Sequence, residues 1–221
     1  MRFGMQAAIA AAMLVAGQAG AQTAGKVSFS VGSVAMEVAP PAGFCVPTGM
    51  AQAAAKMAEA ADKENATLAS FYPCDRMSQA RNSDYFLIKS IKTLVDVTVE
   101  REELLKALTA EMSNPNFSVE NLSTKAGQDS SKALSDLSGT DVKVTTDIRP
   151  LGRDTDCAYM GGVVVAASAG TTVSLNVAGC LTAIGGRMVM VYRYTAGTKM
   201  SGTQPLLPQV RKLAMAIQVK K

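Results

Sequence analysis

Cys157 and Cys180 bracket a run that can fold in few ways. Residues 157–167 (CAYMGGVVVAA) end in small and β-branched side chains and stop at Ser168-Ala169-Gly170. Residues 171–180 (TTVSLNVAGC) then alternate apolar and polar, the period of a half-buried strand. A hairpin folded symmetrically about Ser168-Ala169 sets Cys157 opposite Cys180 and Val163 opposite Ser174. Opposed residues of antiparallel strands lie about 4.5–5.5 Å apart between Cα atoms, and a disulfide spans about 4.4–6.8 Å. One register thus serves both turn and bond. It also sorts the faces. Met160, Val164, Val173, Leu175, Val177 and Leu181 form the expected core face; Tyr159, Val163, Thr172, Ser174 and Asn176 fall with the cysteines. A slip of one residue would exchange the two faces. After Gly185-Gly186, residues 187–195 add a third strand, with Met188, Met190 and Tyr192 alternating against Val189 and Val191.

The compartment is read from the amino end. Met1-Arg2 is a positive start, residues 7–16 are apolar, and Ala19-Gly20-Ala21 is an A-x-A site, the pattern of a secretory signal peptide over residues 1–21. Cleavage is expected after Ala21, leaving residues 22–221 as a single α+β domain in the periplasm or outside the cell. No cysteine follows the site, so no lipid anchor is expected. No second run of about 18 apolar residues exists, so no membrane span is expected.

Export permits disulfides. The four cysteines, Cys45, Cys74, Cys157 and Cys180, allow three pairings. The local one, Cys45 with Cys74 and Cys157 with Cys180, closes two loops of similar modest size and is the expectation. A four-cysteine zinc site is disfavoured because no C-x-x-C pair is present.

Along the chain, Val27–Val31 and Val34–Val38 flank Gly32-Ser33, a hairpin signal, and Pro40-Pro41 ends the strand structure. Residues 50–65 are alanine-rich with Lys and Glu and read as a helix, with Thr48 placed to cap it. Residues 68–72 read as a strand leading to Pro73-Cys74, and 84–89 as another. Residues 98–112 read as a helix capped by Thr98. Its Glu100, Glu102 and Glu103 suit the positive end of the helix dipole, and Leu104, Leu105, Leu108 and Met112 form its apolar stripe. Residues 118–137 are polar with weak helical anchors at Ala133, Leu134 and Leu137, and read as an excursion. Residues 142–149 alternate as a strand, and 150–154 turn into the meander. Residues 205–218 close the chain as a helix whose face, Leu206, Val210, Leu213, Ala214 and Ile217, should pack on the apolar side of the meander.

The chemistry is mostly exclusion. There is no histidine, which removes Ser-His-Asp and Cys-His nucleophile pairs and the commonest metal ligand. Phosphate-binding glycine patterns are absent. A net charge of +4 with scattered basic residues gives no clustered patch for nucleic acid. Asp154 and Asp156, beside Arg153, could form an acid–base pair, but an Asp side chain accepting backbone N–H groups in a turn is the better reading. No catalytic residue, cofactor or metal is assigned.

With Pro40-Pro41-Ala42-Gly43-Phe44, the Tyr192-Arg193-Tyr194 strand and the final helix over residues 206–217, the order of elements resembles the α/β/α sandwich of the PsbP family of photosynthetic accessory proteins and their bacterial relatives. The Gly-Phe-Cys segment and short signal also resemble small periplasmic proteins of Gram-negative bacteria. The resemblance implies an antiparallel sheet covered by helices and a role in binding and assisting rather than catalysis. The cysteines and the polar stretch 118–139 depart from the PsbP pattern. The expected function is a non-catalytic periplasmic binding or accessory protein whose partner is another envelope protein. The alternatives are a carboxylate-dependent hydrolase of envelope polymers using Asp154 and Asp156, and an inhibitor presenting the loop over residues 197–205.

Overall fold

Alternation along the C-terminal third builds the longest strands of the structure, a computed structural model that describes residues 25–79, 83–114 and 117–220. The signal-peptide segment lies outside the described residues. Strands β6 (Lys143–Arg153), β7 (Ala158–Ser168), β8 (Thr171–Ile184) and β9 (Arg187–Ala196) run antiparallel in sequence. Beside β9 stand β5 (Tyr85–Ile91), β4 (Asn65–Pro73) and the two-residue β3 (Phe44–Cys45), giving a seven-stranded sheet in the order β3-β4-β5-β9-β8-β7-β6. A three-stranded sheet holds β1 (Val27–Val31), β2 (Val34–Val38) and β10 (Gln218–Val219). The first two form the expected hairpin about Gly32-Ser33. The helices are α1 (Gly49–Ala61), α2 (Arg101–Met112), α3 (Val119–Ser138) and α4 (Leu207–Ala216). The fold is a mixture of helices and antiparallel sheet, as expected.

Both faces of the large sheet are covered. Leu206, Val210, Leu213, Ala214 and Ile217, the five residues read as the face of the closing helix, are all buried. They join Cys157, Cys180, Val189, Val191, Phe71, Phe86 and Ile88 from the large sheet and Val31, Met36 and Val38 from the small one in a single apolar core. On the opposite face, α2 sets Leu104 against Ala183 and Met188, and α3 lies along β6.

Several expectations are corrected. The β7–β8 turn is Ala169-Gly170, with Ser168 opposite Thr171, so the register moves by two residues and Tyr159 faces Cys180. Ala169 and Gly170 both take positive φ (35° and 83°), as the favoured two-residue hairpin turns require. A shift of two keeps each residue on its face but not the meaning of the faces. The side holding the cysteines, Tyr159 and Ala178 meets α4, not the side holding Met160 and Val164. The helix over 50–65 stops at Ala61, and β4 starts at Asn65. Thr48 occupies the N-cap position without a side-chain cap bond. The helix read from Thr98 begins at Arg101, and the Thr98 hydroxyl instead accepts from Arg187 Nη1. Strand β6 runs through Pro150 to Arg153 by an irregularity between Pro150 and Gly152. Residues 118–137 are no excursion but the twenty-residue helix α3. The final helix ends at Ala216 because the chain turns out to pair β10 with β2.

Candidate functional site

The Asp154 and Asp156 pair is engaged structurally. Asp154 Oδ1 accepts the N–H groups of Asp156 and Cys157, both at 2.8 Å, the turn arrangement expected from the sequence. Its Oδ2 accepts from the Tyr159 hydroxyl at 2.7 Å and from Arg211 Nε at 3.0 Å. Asp156 is held by Arg101 Nη1 at 2.8 Å and by Arg211. Burial opposes ionisation of Asp154, but the Tyr159 hydroxyl, the two N–H groups and Arg211 outweigh it and keep its pKa below the ordinary value. A carboxylate so held is a poor general acid near neutral pH, where that role needs a raised pKa. These residues fasten α2 and α4 to the start of β7.

In the loop over residues 197–205, Thr198, Lys199, Ser201, Gln204 and Pro205 are exposed, and Thr203 anchors the loop to the sheet. Thr203 is fully buried, and its hydroxyl donates to Gly162 O at 3.2 Å. A Cβ on Gly161 would stand 2.4 Å from the Thr203 methyl, so the small residue there lets the loop seat on the sheet.

A cleft lies between α1 and the sheet. Alternation places Tyr72 on β4, Tyr85 on β5 and Tyr192 and Tyr194 on β9 on one face, directly or diagonally opposed across three strands. Tyr72 and Tyr85 stack with ring centroids 5.4 Å apart, Tyr85 and Tyr194 at 4.6 Å, and Tyr194 meets Tyr192 at 6.4 Å. Four of the five tyrosines thus form one row. Cross-strand aromatic pairs of this kind each stabilise a sheet by roughly 0.2–1 kcal/mol. Burial raises the pKa of Tyr192 to about 12 and that of Tyr85 and Tyr194 well above the usual phenol range.

Over the Tyr72 and Tyr85 end of the row sits the alanine face of α1. Ala54, Ala55, Ala58 and Glu59 enclose, with Thr67, Ser70, Leu87 and Lys89, a cleft of about 160 Å³. Small side chains on α1 hold the helix close without filling the space. At the end of the helix, Lys89 Nζ lies 2.5 Å from Asp62 Oδ2, and Asp62 Oδ1 accepts the Asn65 N–H at 2.8 Å. Burial works against the Asp62 charge, yet Lys89 and Asn65 hold its pKa below normal. The lining therefore offers hydroxyls, aromatic edges, the Glu59 carboxylate at its rim and an ammonium already paired with Asp62. The alternating Tyr-x-Tyr of β9 signalled one face in the sequence; nothing local announced that Tyr72 and Tyr85 would join it.

The disulfides are Cys45–Cys74 and Cys157–Cys180, the local pairing. Among the described residues no group of three or more His, Cys, Asp or Glu side chains is placed to hold a metal ion. No helix among them is long and apolar enough to cross a membrane.

No family model matches the chain, and the search of curated proteins returned no match. Among solved structures, the chain is similar to cyanobacterial PsbP (CyanoP) from Synechocystis sp. PCC 6803, at 12% identity and a TM-score of 0.39, over 91% of this chain and 96% of that one. A likeness that distant carries no argument; the fold assignment rests on the strand order and register above.

Proposed function

We propose that the chain is an exported, non-catalytic binding protein and that its ligand site is the cleft between α1 and the tyrosine row. Two disulfides and the signal-like amino end support export. The observation that carries the binding reading is the lining: Thr67, Ser70, Tyr72 and Tyr85 supply hydroxyls, and the one ammonium, on Lys89, is already held by Asp62. The volume, about 160 Å³, is close to that of an engineered apolar cavity of about 150 Å³ that binds benzene. The ligand class is therefore a compact, single-ring molecule with hydrogen-bond acceptors on its edge.

The chain has no tryptophan, so tyrosine emission reports on the row directly. Titration with phenol, benzamide and glucose at millimolar concentration should change that emission and raise Tm for at least one of them. Ala58→Leu, which fills the cleft, should abolish the response. If none of the three alters emission or Tm, the cleft is not such a site.

A second reading, a protein partner from the envelope, is favoured by the end of the β7–β8 hairpin. Residues 157–186 carry no charged side chain, and at the hairpin end Ala169, Gly170, Thr171, Thr172 and Val173 are exposed. An uncharged, half-apolar surface of that kind suits docking to another protein. Under this reading Val173→Lys releases the proteins that the unaltered chain retains from periplasmic extract; retention of the same set by both chains would exclude the hairpin end.

A further inference from the structure

We propose that the β6 edge beneath α3 is a self-association site, and that its occupant is β6 of a second copy of this chain. An edge strand presents a row of outward N–H and C=O groups that can pair with another strand. Here that row is occupied by the side chains of a helix. Ser123 Oγ accepts the Ile148 N–H at 3.0 Å and donates to Ile148 O at 3.1 Å. Ser131 Oγ accepts the Val144 N–H at 2.7 Å and lies 3.3 Å from Val144 O. Ser135 Oγ accepts the Val142 N–H at 2.9 Å and lies 3.3 Å from Val142 O. In an antiparallel pair, one residue exchanges both bonds with the residue opposite. Each of these hydroxyls takes the place of such a residue.

The spacing explains why a helix can imitate a strand. Four helical residues rise about 6 Å, and two strand residues about 6.8 Å. Positions 123, 127, 131 and 135 therefore keep step with every second residue of β6. Position 127 is glycine, where a Cβ would approach Val144 O to 2.9 Å.

Much of what holds α3 down is replaceable. Its buried residues are Ser123 and Gly127, and most of its bonds to β6 are of the class that a strand would make; the Thr146 hydroxyl, donating to Ser123 O at 2.7 Å, and contact with α1 hold it as well. The helix is closed at both ends by its own caps. Ser118 Oγ accepts the Asn121 N–H at 3.0 Å, and Gly139 (φ 65°) returns its N–H to Ser135 O.

Charge selects the occupant and the register. A two-fold centred on Thr145 sets Lys143 against Asp147 and Asp141 against Arg149 of the second copy, in both directions, the Asp147–Arg149 pair of the single chain (2.8 and 3.0 Å) being shared with or exchanged for these partners. Moved one residue, the axis sets Asp141 against Asp147 or Lys143 against Arg149, which repel; moved two, it sets Lys143 or Asp147 against itself. In the favoured register the bonded pairs are Val142 with Ile148 and Val144 with Thr146, β-branched cross-strand pairs that suit a sheet. Thr145 is exposed in the single chain and would meet its own copy at a non-bonded position, where Cα atoms are about 4.5 Å apart, within disulfide reach.

The test uses the full processed chain exported to an oxidising compartment. Thr145→Cys should yield a covalent dimer with a 145–145 linkage by mass spectrometry, and Lys143→Cys should not yield the corresponding link. Ser131→Ala with Ser135→Ala should strengthen dimerisation at least tenfold in sedimentation equilibrium and raise the Thr145→Cys yield. A double variant that stays as monomeric as the parent overturns the proposal, as does equal linkage at 143. If the double variant does not fold, Thr145→Cys in the otherwise unaltered chain decides: a 145–145 link at high concentration supports the site, and its absence overturns it. Ligand binding in the cleft plays no part in this test.

Discussion

Cys157 is bonded to Cys180 although Tyr159, not Cys157, stands opposite Cys180 in the sheet. Cys157 precedes the first residue of β7, and the chain there is bent by the Asp154 turn, which brings the two Cα atoms to 5.2 Å. The bond therefore joins a strand to the turn that enters its neighbour. The register is held by the Ala169-Gly170 turn and by β9 and β6 on either side.

Removing this bond should lower stability without altering the register. Cys157→Ala with Cys180→Ala opens a loop with a sequence separation of 23, for which the chain-entropy model gives about 3 kcal/mol. Urea unfolding should show a loss of that order. Amide exchange of β8 in the same variant should keep the pattern set by the pairing of Val163 with Asn176; a changed pattern would mean that the bond dictates the alignment.

The tyrosine row should make the native chain resist phenol ionisation. All five tyrosines have pKa values raised by burial, that of Tyr192 to about 12. A folded-state pKa above the unfolded value of about 10 gives stability that is complete below pH 10 and is lost as pH climbs toward 12. Phenolate absorbance should stay low past pH 10 and then rise together with loss of the near-ultraviolet dichroism. In denaturant the tyrosines should titrate near pH 10. Gradual native titration centred at pH 10 would contradict the packing of the row.

Asp154 should contribute on the acid side. Its folded pKa lies below the ordinary carboxylate value, burial being outweighed by the Tyr159 hydroxyl, the N–H groups of Asp156 and Cys157, and Arg211. Stability from it is therefore present above about pH 4 and lost as pH falls through the depressed value. Asp154→Asn should cost about 1 kcal/mol at pH 7, and the gap between variant and parent should narrow steadily in urea unfolding as pH falls below about 4. Asp154→Asn with Asp156→Asn should leave ligand binding in the cleft unchanged, since neither residue lines it. A constant gap across pH would show that the carboxylate charge is not what holds the turn.

The strands, the closing helix and the local disulfide pairing were legible in the chain because each is written at short range. Period-two alternation marks β6 to β9. Gly32-Ser33 marks the first hairpin, and the five-residue stripe from Leu206 to Ile217 marks the face that is buried. Helix α3 was missed because its period is polar. Ser123, Gly127, Ser131 and Ser135 recur every fourth residue, a helical spacing, but an apolar stripe is what usually announces a helix, and here the partner is a strand edge that needs hydroxyls.

Local sequence by itself determined the long strands of the meander, the closing helix and which cysteines lie within reach of one another, since those follow from backbone preference and side-chain period. Which face of the meander meets α4, how the tyrosines of three strands come into one row, and why a serine helix caps β6 were decided only by the packed chain. Alternation fixes that a strand has two faces; the far-off elements that bury each face, and the orphan groups each leaves to be satisfied, exist only once the layers are assembled.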